Sequence, residues 1–323
     1  MTLDVSIVVP IFNEASNLER LCDRLTQVLD RLEVTYEIVL VNDGSRDDTL
    51  QVAAQCQQCY PQIVVIDLSR NFGKEIAMSA GLDYTQGRAV IPIDADLQDP
   101  PELIGLLLEK WREGFDVVCA TRRQRLGESW LKQFTAEGFY RTISRLSSVP
   151  IPANTGDFRL LDRTVVEAIK QLPERTRFMK GLFVWVGYRQ TTVYFDRAPR
   201  LSGQTSWNYW KLWNFALDGI TAFSSLPLKV WSYIGVSISL VSLAYSLFLI
   251  IRTLISGVDV PGYASLMVAV LFLGSVQLIA IGVLGEYLGR IYDEVKQRPL
   301  YLVRQVYRTS DHTPSLEGNE GHD

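Results

Sequence analysis

Two stretches of this chain carry no charge, and any fold must keep both of them out of water. Residues 230–251 form one, bracketed by Lys229 and Arg252; residues 264–285 form the other, with Asp259 before it and Glu286 after it. Each is long enough to cross a bilayer as a helix, which takes about 20 residues. Gln277 is the most polar residue of the second run, and Gly274, Gly282 and Gly285 permit close helix contacts. Arg290, Lys296, Arg298, Arg304 and Arg308 follow it, whereas the connector holds only Arg252 at its border and Asp259 inside. The positive-inside rule therefore puts both termini in the cytosol and the connector outside. Residues 209–229 precede the first run. They include Tyr209, Trp210, Trp213 and Phe215, which suits an amphipathic segment at the membrane interface.

The first half of the chain has a different rhythm. Residues 5–10, 37–41, 63–68, 89–93 and 116–120 are apolar runs that read as strands. Residues 17–32, 74–84 and 101–111 carry helical spacing. Strands alternating with helices predict a doubly wound, mostly parallel α/β sheet covered on both faces. The N-terminal MTLDVSIVVP has no basic region before its apolar run and no small-residue cleavage site, so it reads as a strand and not as a signal peptide.

In such sheets, ligands sit beyond the carboxyl ends of the strands. Three polar clusters fall there: Asn13-Glu14, Asn42-Asp43 and Asp94-Ala95-Asp96. In extended backbone, Asp94 and Asp96 point the same way. Two carboxylates that close repel each other unless a cation lies between them. A hard divalent metal carrying a substrate diphosphate meets that need. The only histidines, His312 and His322, lie in a polar tail, so acid–base and metal chemistry must rest mainly on carboxylates. Neither a GxGxxG after the first strand nor a GxxxxGK[ST] is present, which leaves phosphates to metal and basic side chains. The net charge of −4 gives no reason to expect nucleic acid. Cys22, Cys56, Cys59 and Cys119 suggest no disulfide framework, and the Cys56-x-x-Cys59 pair lacks the second pair of a zinc site. After the second strand, Gly44 permits a tight turn, and Ser45 or Asp47 is available to cap the next helix.

Four spaced motifs now stand in order: Val8-Val9-Pro10-Ile11-Phe12-Asn13-Glu14, Val41-Asn42-Asp43-Gly44-Ser45 with Asp48-Thr49, Ser69-Arg70-Asn71-Phe72-Gly73-Lys74, and Asp94-Ala95-Asp96-Leu97-Gln98-Asp99-Pro100. Together they resemble the family 2 glycosyltransferases, and more closely the polyprenyl-phosphate sugar transferases that include dolichol-phosphate mannose synthase. The resemblance implies a GT-A-like nucleotide-sugar fold. It implies that Pro10, Phe12 and Glu14 line the nucleoside pocket and that Asp43 hydrogen-bonds the base. Asp94 would lie against the ribose and diphosphate, and Asp96 with Gln98, beside Asp94, would hold Mg²⁺ or Mn²⁺. Phe12 stands where the family often has Tyr, a change that keeps the ring for stacking.

The acceptor side follows the fifth strand. Arg122 and Lys132 lie in a locally basic stretch and are candidates to bind an anionic lipid phosphate by charge-assisted hydrogen bonds. Residues 134–146 mix aromatic, aliphatic and basic side chains, as a helix on lipid headgroups does and as a core-facing helix also can. Gly156-Asp157-Phe158-Arg159 matches a family stretch in which Asp157 takes the position of the catalytic base. A lipid phosphate resembling other monoesters has a second pKa of about 6 and is largely ionised at pH 7. Asp157 thus has three possible roles: base, positioner of metal, acceptor or sugar, or cap of a helix over residues 163–172. Arg200 belongs to a stretch resembling the family's Arg-x-x-Gly-x-Ser/Thr-Lys loop, which implies that it reaches the diphosphate and stabilises the leaving charge. Ser206 departs from that pattern where Lys is common, and Lys211 is the candidate substitute. Gly203 would permit the loop to close as a lid.

The sequence thus divides into a cytosolic GT-A domain (1–208), an interfacial segment (209–229), two transmembrane helices (230–285) and a cytosolic C-terminal segment (286–323). The last of these is expected to be disordered from about residue 309. The resemblance implies inverting transfer of a hexose at the inner membrane of a bacterium, with glucose passing from UDP-glucose to undecaprenyl phosphate. It also implies a homo-oligomer, since relatives assemble as tetramers. Transfer from GDP-mannose is the alternative within the class. A non-catalytic nucleotide-sugar-binding scaffold is the alternative outside it, opposed by the presence of Asp94, Asp96 and Asp157. A processive synthase would carry a Gln-x-x-Arg-Trp motif and more spans, and neither is found.

Overall fold

All five predicted strands form, with ends shifted by no more than one or two residues. The computed structural model describes residues 3–122, 155–172, 174–175, 177–195, 226–256 and 262–308. The first half contains β1 (Val5–Ile11), α1 (Ala15–Arg31), β2 (Tyr36–Asn42), α2 (Thr49–Cys59), β3 (Ile63–Leu68), α3 (Lys74–Tyr84), β4 (Ala89–Pro92), α4 (Ile104–Arg112) and β5 (Val117–Arg122). Every residue of β2 and β3 is buried, because helices cover both faces of the sheet. On α1, Leu18, Leu21, Cys22, Leu25 and Leu29 recur at helical spacing and all face the core.

The sheet runs β7-β5-β6-β4-β1-β2-β3-β8. β1 pairs in parallel with β2 on one side and β4 on the other, and β3 continues beyond β2. The chain therefore winds outward from β1 to β3 and then crosses back to β4. The reversal leaves a crevice at the carboxyl ends of β1 and β4, where open α/β sheets hold ligands. All three predicted polar clusters lie at that edge.

The other half of the sheet is mixed where the sequence predicted mostly parallel order. β6 (Thr155–Asp162) lies antiparallel between β4 and β5, and β7 (Gln190–Phe195) runs parallel to β5. Because β6 is reversed, its first residues lie at the carboxyl end of β4. Ala89 pairs with Asp162 and Val90 with Leu161; continuing that register brings Asp157 level with Asp94. After β6 come α5 (Arg163–Lys170) and α6 (Met179–Trp185). Asp162 caps α5 by accepting from the Thr164 N–H at 2.9 Å, which assigns to Asp162 the capping role weighed for Asp157.

Two long helices follow, α7 (Leu226–Ser256, 31 residues) and α8 (Tyr263–Val295, 33 residues). At about 1.5 Å per residue, each is longer than a hydrocarbon core of about 30 Å. Leu240, Val241, Tyr245, Leu254, Leu278 and Leu288 on them are exposed apolar side chains. Among the described residues, Phe272–Val295 is apolar and long enough to cross a membrane. The helix Tyr263–Val295 contains the whole predicted run 264–285. β8 (Val303–Tyr307) then returns to the sheet as an antiparallel neighbour of β3. Lys132, Arg200, the predicted interfacial segment before Leu226 and the tail from 309 lie outside the described residues.

Candidate active site

The crevice begins where the loops after β1 and β2 are tied together. The Asn13 N–H donates to Ser45 Oγ at 3.0 Å, and Asn13 Oδ1 accepts from the Arg46 N–H at 2.9 Å. The Glu14 N–H donates to Thr49 Oγ1 at 2.8 Å, and Glu14 Oε2 accepts from Asn17 Nδ2 at 2.8 Å. Asp47 Oδ1 meets the Thr49 N–H and hydroxyl at the start of α2, so Asp47 serves this helix end while Ser45 serves the loop. Phe12, beside these contacts, is 42% exposed, a large ring left open at the mouth of a crevice.

Asp43, at the end of β2, is buried, and both its oxygens are engaged. Oδ1 accepts from the Phe72 N–H at 2.7 Å and Oδ2 from the Gly73 N–H at 2.9 Å. Burial pushes its carboxyl up despite these two N–H groups and nearby Arg70. The loop held in this way also packs against Gly44, whose φ is +64°. A Cβ on Gly44 would lie 2.5 Å from the Arg70 carbonyl carbon. Gly73, at φ +99°, then turns the chain into α3, and the first residue of that helix is Lys74.

Lys74 is the centre of the site. Its Nζ lies 2.6 Å from Asp94 Oδ1 and 2.5 Å from Asp157 Oδ2. The expectation of extended backbone through Asp94 and Asp96 is corrected here. β4 ends at Pro92, the chain turns, and Leu97 takes φ +56°. Asp96 closes that turn by accepting from the Gln98 N–H at 3.1 Å. The cation found between two carboxylates is thus a lysine, between Asp94 and Asp157.

Burial raises the Asp157 carboxyl, but Lys74, Lys180 and Arg159 outweigh it and hold Asp157 well below the usual carboxylate range. Burial likewise lowers Lys74, and the charges of Asp94 and Asp157 more than reverse this. Glu75, the next residue on α3, behaves oppositely: burial, helped by the charge of Asp157, pushes it up to about 7. Its Oε2 accepts from the Met179 N–H at 3.2 Å. Arg159 is buried with its guanidinium 4.3 Å from the Phe183 ring, and its Nη2 donates to the Gly156 carbonyl at 2.8 Å. That contact fixes the backbone beside Asp157. Asp157 Oδ1 is buried and has no hydrogen-bond partner among the described residues.

A divalent metal fits part of this site. Among the described residues, no group of three or more His, Cys, Asp and Glu side chains is arranged to hold one. Gln98 Oε1, however, is buried without a hydrogen-bond partner among the described residues, two residues from the Asp96 carboxylate. Two hard oxygen donors in one turn suit Mg²⁺ or Mn²⁺, which take their remaining ligands from substrate phosphates and water. Arg122 ends β5, on the sheet half that carries Asp157.

The sequence reading assigned no role to Lys74, Glu75 or Arg159. A signal for Lys74 was present: a cation at the first residue of a helix opposes the positive end of the helix dipole. Such a placement needs compensation, and two carboxylates supply it.

The crevice lined by these carboxylates, a lysine and an exposed ring belongs to a chain that is a glycosyltransferase. It belongs to glycosyl transferase family 2, whose model matches residues 6–170, and a GtrB C-terminal hairpin model matches residues 226–291. An uncharacterized glycosyltransferase of Synechocystis is 68% identical over 95% of this chain and 96% of that relative. The SfII prophage-derived bactoprenol glucosyl transferase of Shigella flexneri is 49% identical over 95% of this chain and 99% of its own length. A prophage bactoprenol glucosyl transferase homolog of Escherichia coli is 47% identical over 94% and 99%.

Proposed function

We propose that this chain is a membrane-anchored, inverting glycosyltransferase that moves glucose from UDP-glucose to a polyprenyl phosphate. It would act at the cytosolic face of a bacterial inner membrane. The observation that carries this reading is Lys74 held between Asp94 and Asp157 at the crevice of the sheet. The names of the Shigella and Escherichia relatives support glucose as the sugar and a polyprenyl lipid as the acceptor. The two helices, α7 and α8, support the membrane anchor as a two-span hairpin with both chain ends in the cytosol. A homo-oligomer, such as a tetramer, would surround the hairpins with apolar partners.

Pro10, Phe12 and Glu14 line the nucleoside end, with Phe12 offering a stacking face. Asp43 reaches the base through lone pairs left over from its two backbone contacts. Asp94 lies against the ribose and diphosphate. Asp96, Gln98 and Asp94 would hold Mg²⁺ or Mn²⁺, which when bound neutralises the diphosphate and eases its departure. An oxygen of the lipid phosphate forms a bond to C1 of glucose. The bond from C1 to the diphosphate breaks, and its electron pair leaves on UDP.

The ionised acceptor has no proton to lose, so Asp157 acts as a positioner. Lys74 keeps Asp157 charged, and Asp157 Oδ1 is left to accept from a sugar hydroxyl. Lys74 also screens two carboxylates from substrates that both arrive as anions. Arg200 meets the leaving diphosphate, while Arg122 and Lys132 bind the acceptor phosphate.

The test is transfer of radiolabelled sugar to undecaprenyl phosphate in detergent, offering UDP-glucose, UDP-galactose, UDP-N-acetylglucosamine and GDP-mannose with Mg²⁺, Mn²⁺ or EDTA. An organic-extractable product from UDP-glucose alone, lost in EDTA, is expected. Product from GDP-mannose instead would replace the donor. Nucleotide-sugar binding with no lipid product would favour a binding scaffold.

A further inference from the structure

The strand that follows the second long helix reaches back to the loop that carries Lys74. β8 pairs with β3 through Val303 opposite Leu68 and Gln305 opposite Asp67. Arg304 is therefore an extra residue with no partner across the ladder: a bulge. Bulges re-aim a side chain, and here the Arg304 guanidinium turns onto two targets. Nη1 lies 3.0 Å from Asp67 Oδ2, and Nη2 donates to the Ser69 carbonyl at 2.7 Å. Asp67 is buried, and its other oxygen accepts from Asn42 Nδ2 at 2.7 Å. The Ser69 N–H donates in turn to the Leu302 carbonyl at 2.8 Å.

We propose that Arg304 is a positioning residue for the transferase reaction, fixing residues 69–73 so that Lys74 stands between Asp94 and Asp157. The loop has two holds. Asp43 grips its far end at Phe72 and Gly73, next to Lys74. Arg304 and Leu302 grip its near end at Ser69. Arg304 also links the two holds, because Asp67 bonds Asn42, the residue before Asp43. A surface ion pair adds little by itself. This one differs because its acid is buried and its second donor goes to loop backbone, so losing it frees the loop and strands a buried charge. An error of about 1 Å in a charged group at a reacting centre can cost about a hundredfold in rate. A second tie in the same segment serves as a control: the Tyr301 hydroxyl donates to Asp83 Oδ2 at 2.8 Å, at the far end of α3 from Lys74.

The proposal rests on the glycosyltransferase reading of the Lys74 site, and the experiment separates the two. The full-length protein in detergent is assayed for glucose transfer from UDP-glucose to undecaprenyl phosphate as wild type, Arg304→Ala, Arg304→Lys and Tyr301→Phe, with thermal midpoints recorded alongside. No transfer by the wild type overturns the reading of the site, whatever the variants do. With wild-type transfer present, Arg304→Ala is expected to lower kcat about tenfold or more while donor KM stays within about twofold. Arg304→Lys reaches Asp67 but cannot also hold the Ser69 carbonyl, so its kcat falls between the two at an unchanged midpoint. Tyr301→Phe keeps wild-type kcat. If Arg304→Ala does not fold, Arg304→Lys decides. Unchanged kcat in the Arg304 variants, or an equal loss in Tyr301→Phe, overturns the role of Arg304.

Discussion

Lys74 and Asp157 are 83 residues apart in sequence and 2.5 Å apart in space, and their contact joins the parallel half of the sheet to its reversed strand β6. Asp94 completes the arrangement from β4's end at 2.6 Å. Replacing Lys74 with Met leaves Asp94 and Asp157 as neighbouring like charges facing anionic substrates. Lys74→Met is expected to lower kcat/KM by about 10²–10³-fold, with donor KM rising as well. Steady-state assays over a range of UDP-glucose check this; a loss below about threefold would remove Lys74 from the site.

The low pKa of Asp157 sets the sign of its pH dependence. Its carboxyl is depressed below the unfolded value of about 3.9, so its stabilising charge is present above that value and is lost only as pH falls through the lower, folded one. Asp157 therefore does not titrate where the enzyme works. Asp157→Asn is expected to cut kcat about a hundredfold and leave the acidic limb of the pH–rate profile between pH 5 and 7 in place. Disappearance of that limb, with donor binding intact, would make Asp157 a base.

Glu75 runs the other way. Between about 4.3 and 7, the native state keeps a proton on Glu75 that the unfolded chain has released. Stability must then fall as pH rises through that window. Glu75→Gln keeps an acceptor for the Met179 N–H and removes the charge. It should raise the thermal midpoint by roughly 2–5 °C at pH 8 and change it little at pH 5. A lower midpoint at pH 8 would show that the ionised form is favoured by Lys74 and Lys180.

The Gln98 carbonyl, unpartnered among the described residues, allows a separate test of the proposed cation site. Because that oxygen has no partner to lose among the described residues, Gln98→Met should cost little stability. The same change should raise the half-saturating Mn²⁺ concentration for turnover about tenfold, and Asp96→Asn should raise it more. Metal titrations after EDTA treatment measure both. Normal metal affinity in Asp96→Asn would take Asp96 off the list of ligands.

Gly44 is a point where backbone geometry alone predicts an outcome. An alanine there would hold a left-handed φ and press its Cβ against the backbone of Arg70 and Asn71. Gly44→Ala should destabilise the protein by about 2 kcal/mol or more and shift the loop before Lys74. A drop in both thermal midpoint and kcat is expected.

The half of the sheet that the sequence describes well is the half buried on both faces. β1 to β4 read as mostly apolar runs because helices cover them above and below. β6 and β8 hide because each carries an arginine, Arg159 and Arg304, that interrupts its apolar residues. β7, Gln190–Phe195, is a partly exposed strand with three polar residues at its start. The carboxylates of the site were legible for the same reason as the strands they terminate. Lys74 was not, since its meaning depends on Asp157, and Asp157 reaches it only because β6 runs backwards. The extended backbone expected through Asp94 and Asp96 failed on a local point, a strand that ends one residue earlier than the apolar run suggested.

The place of β8 in the chain gives this enzyme an order of manufacture. A ribosome releases β1 to β7 first, then α7 and α8, and only afterwards the strand that covers the outer edge of β3. Until then β3 is an open strand edge, a template for unwanted pairing. The sheet can close only once both long apolar helices have been made, so a chain truncated before β8 would carry Asp94, Asp96 and Asp157 and still lack the brace proposed for Lys74.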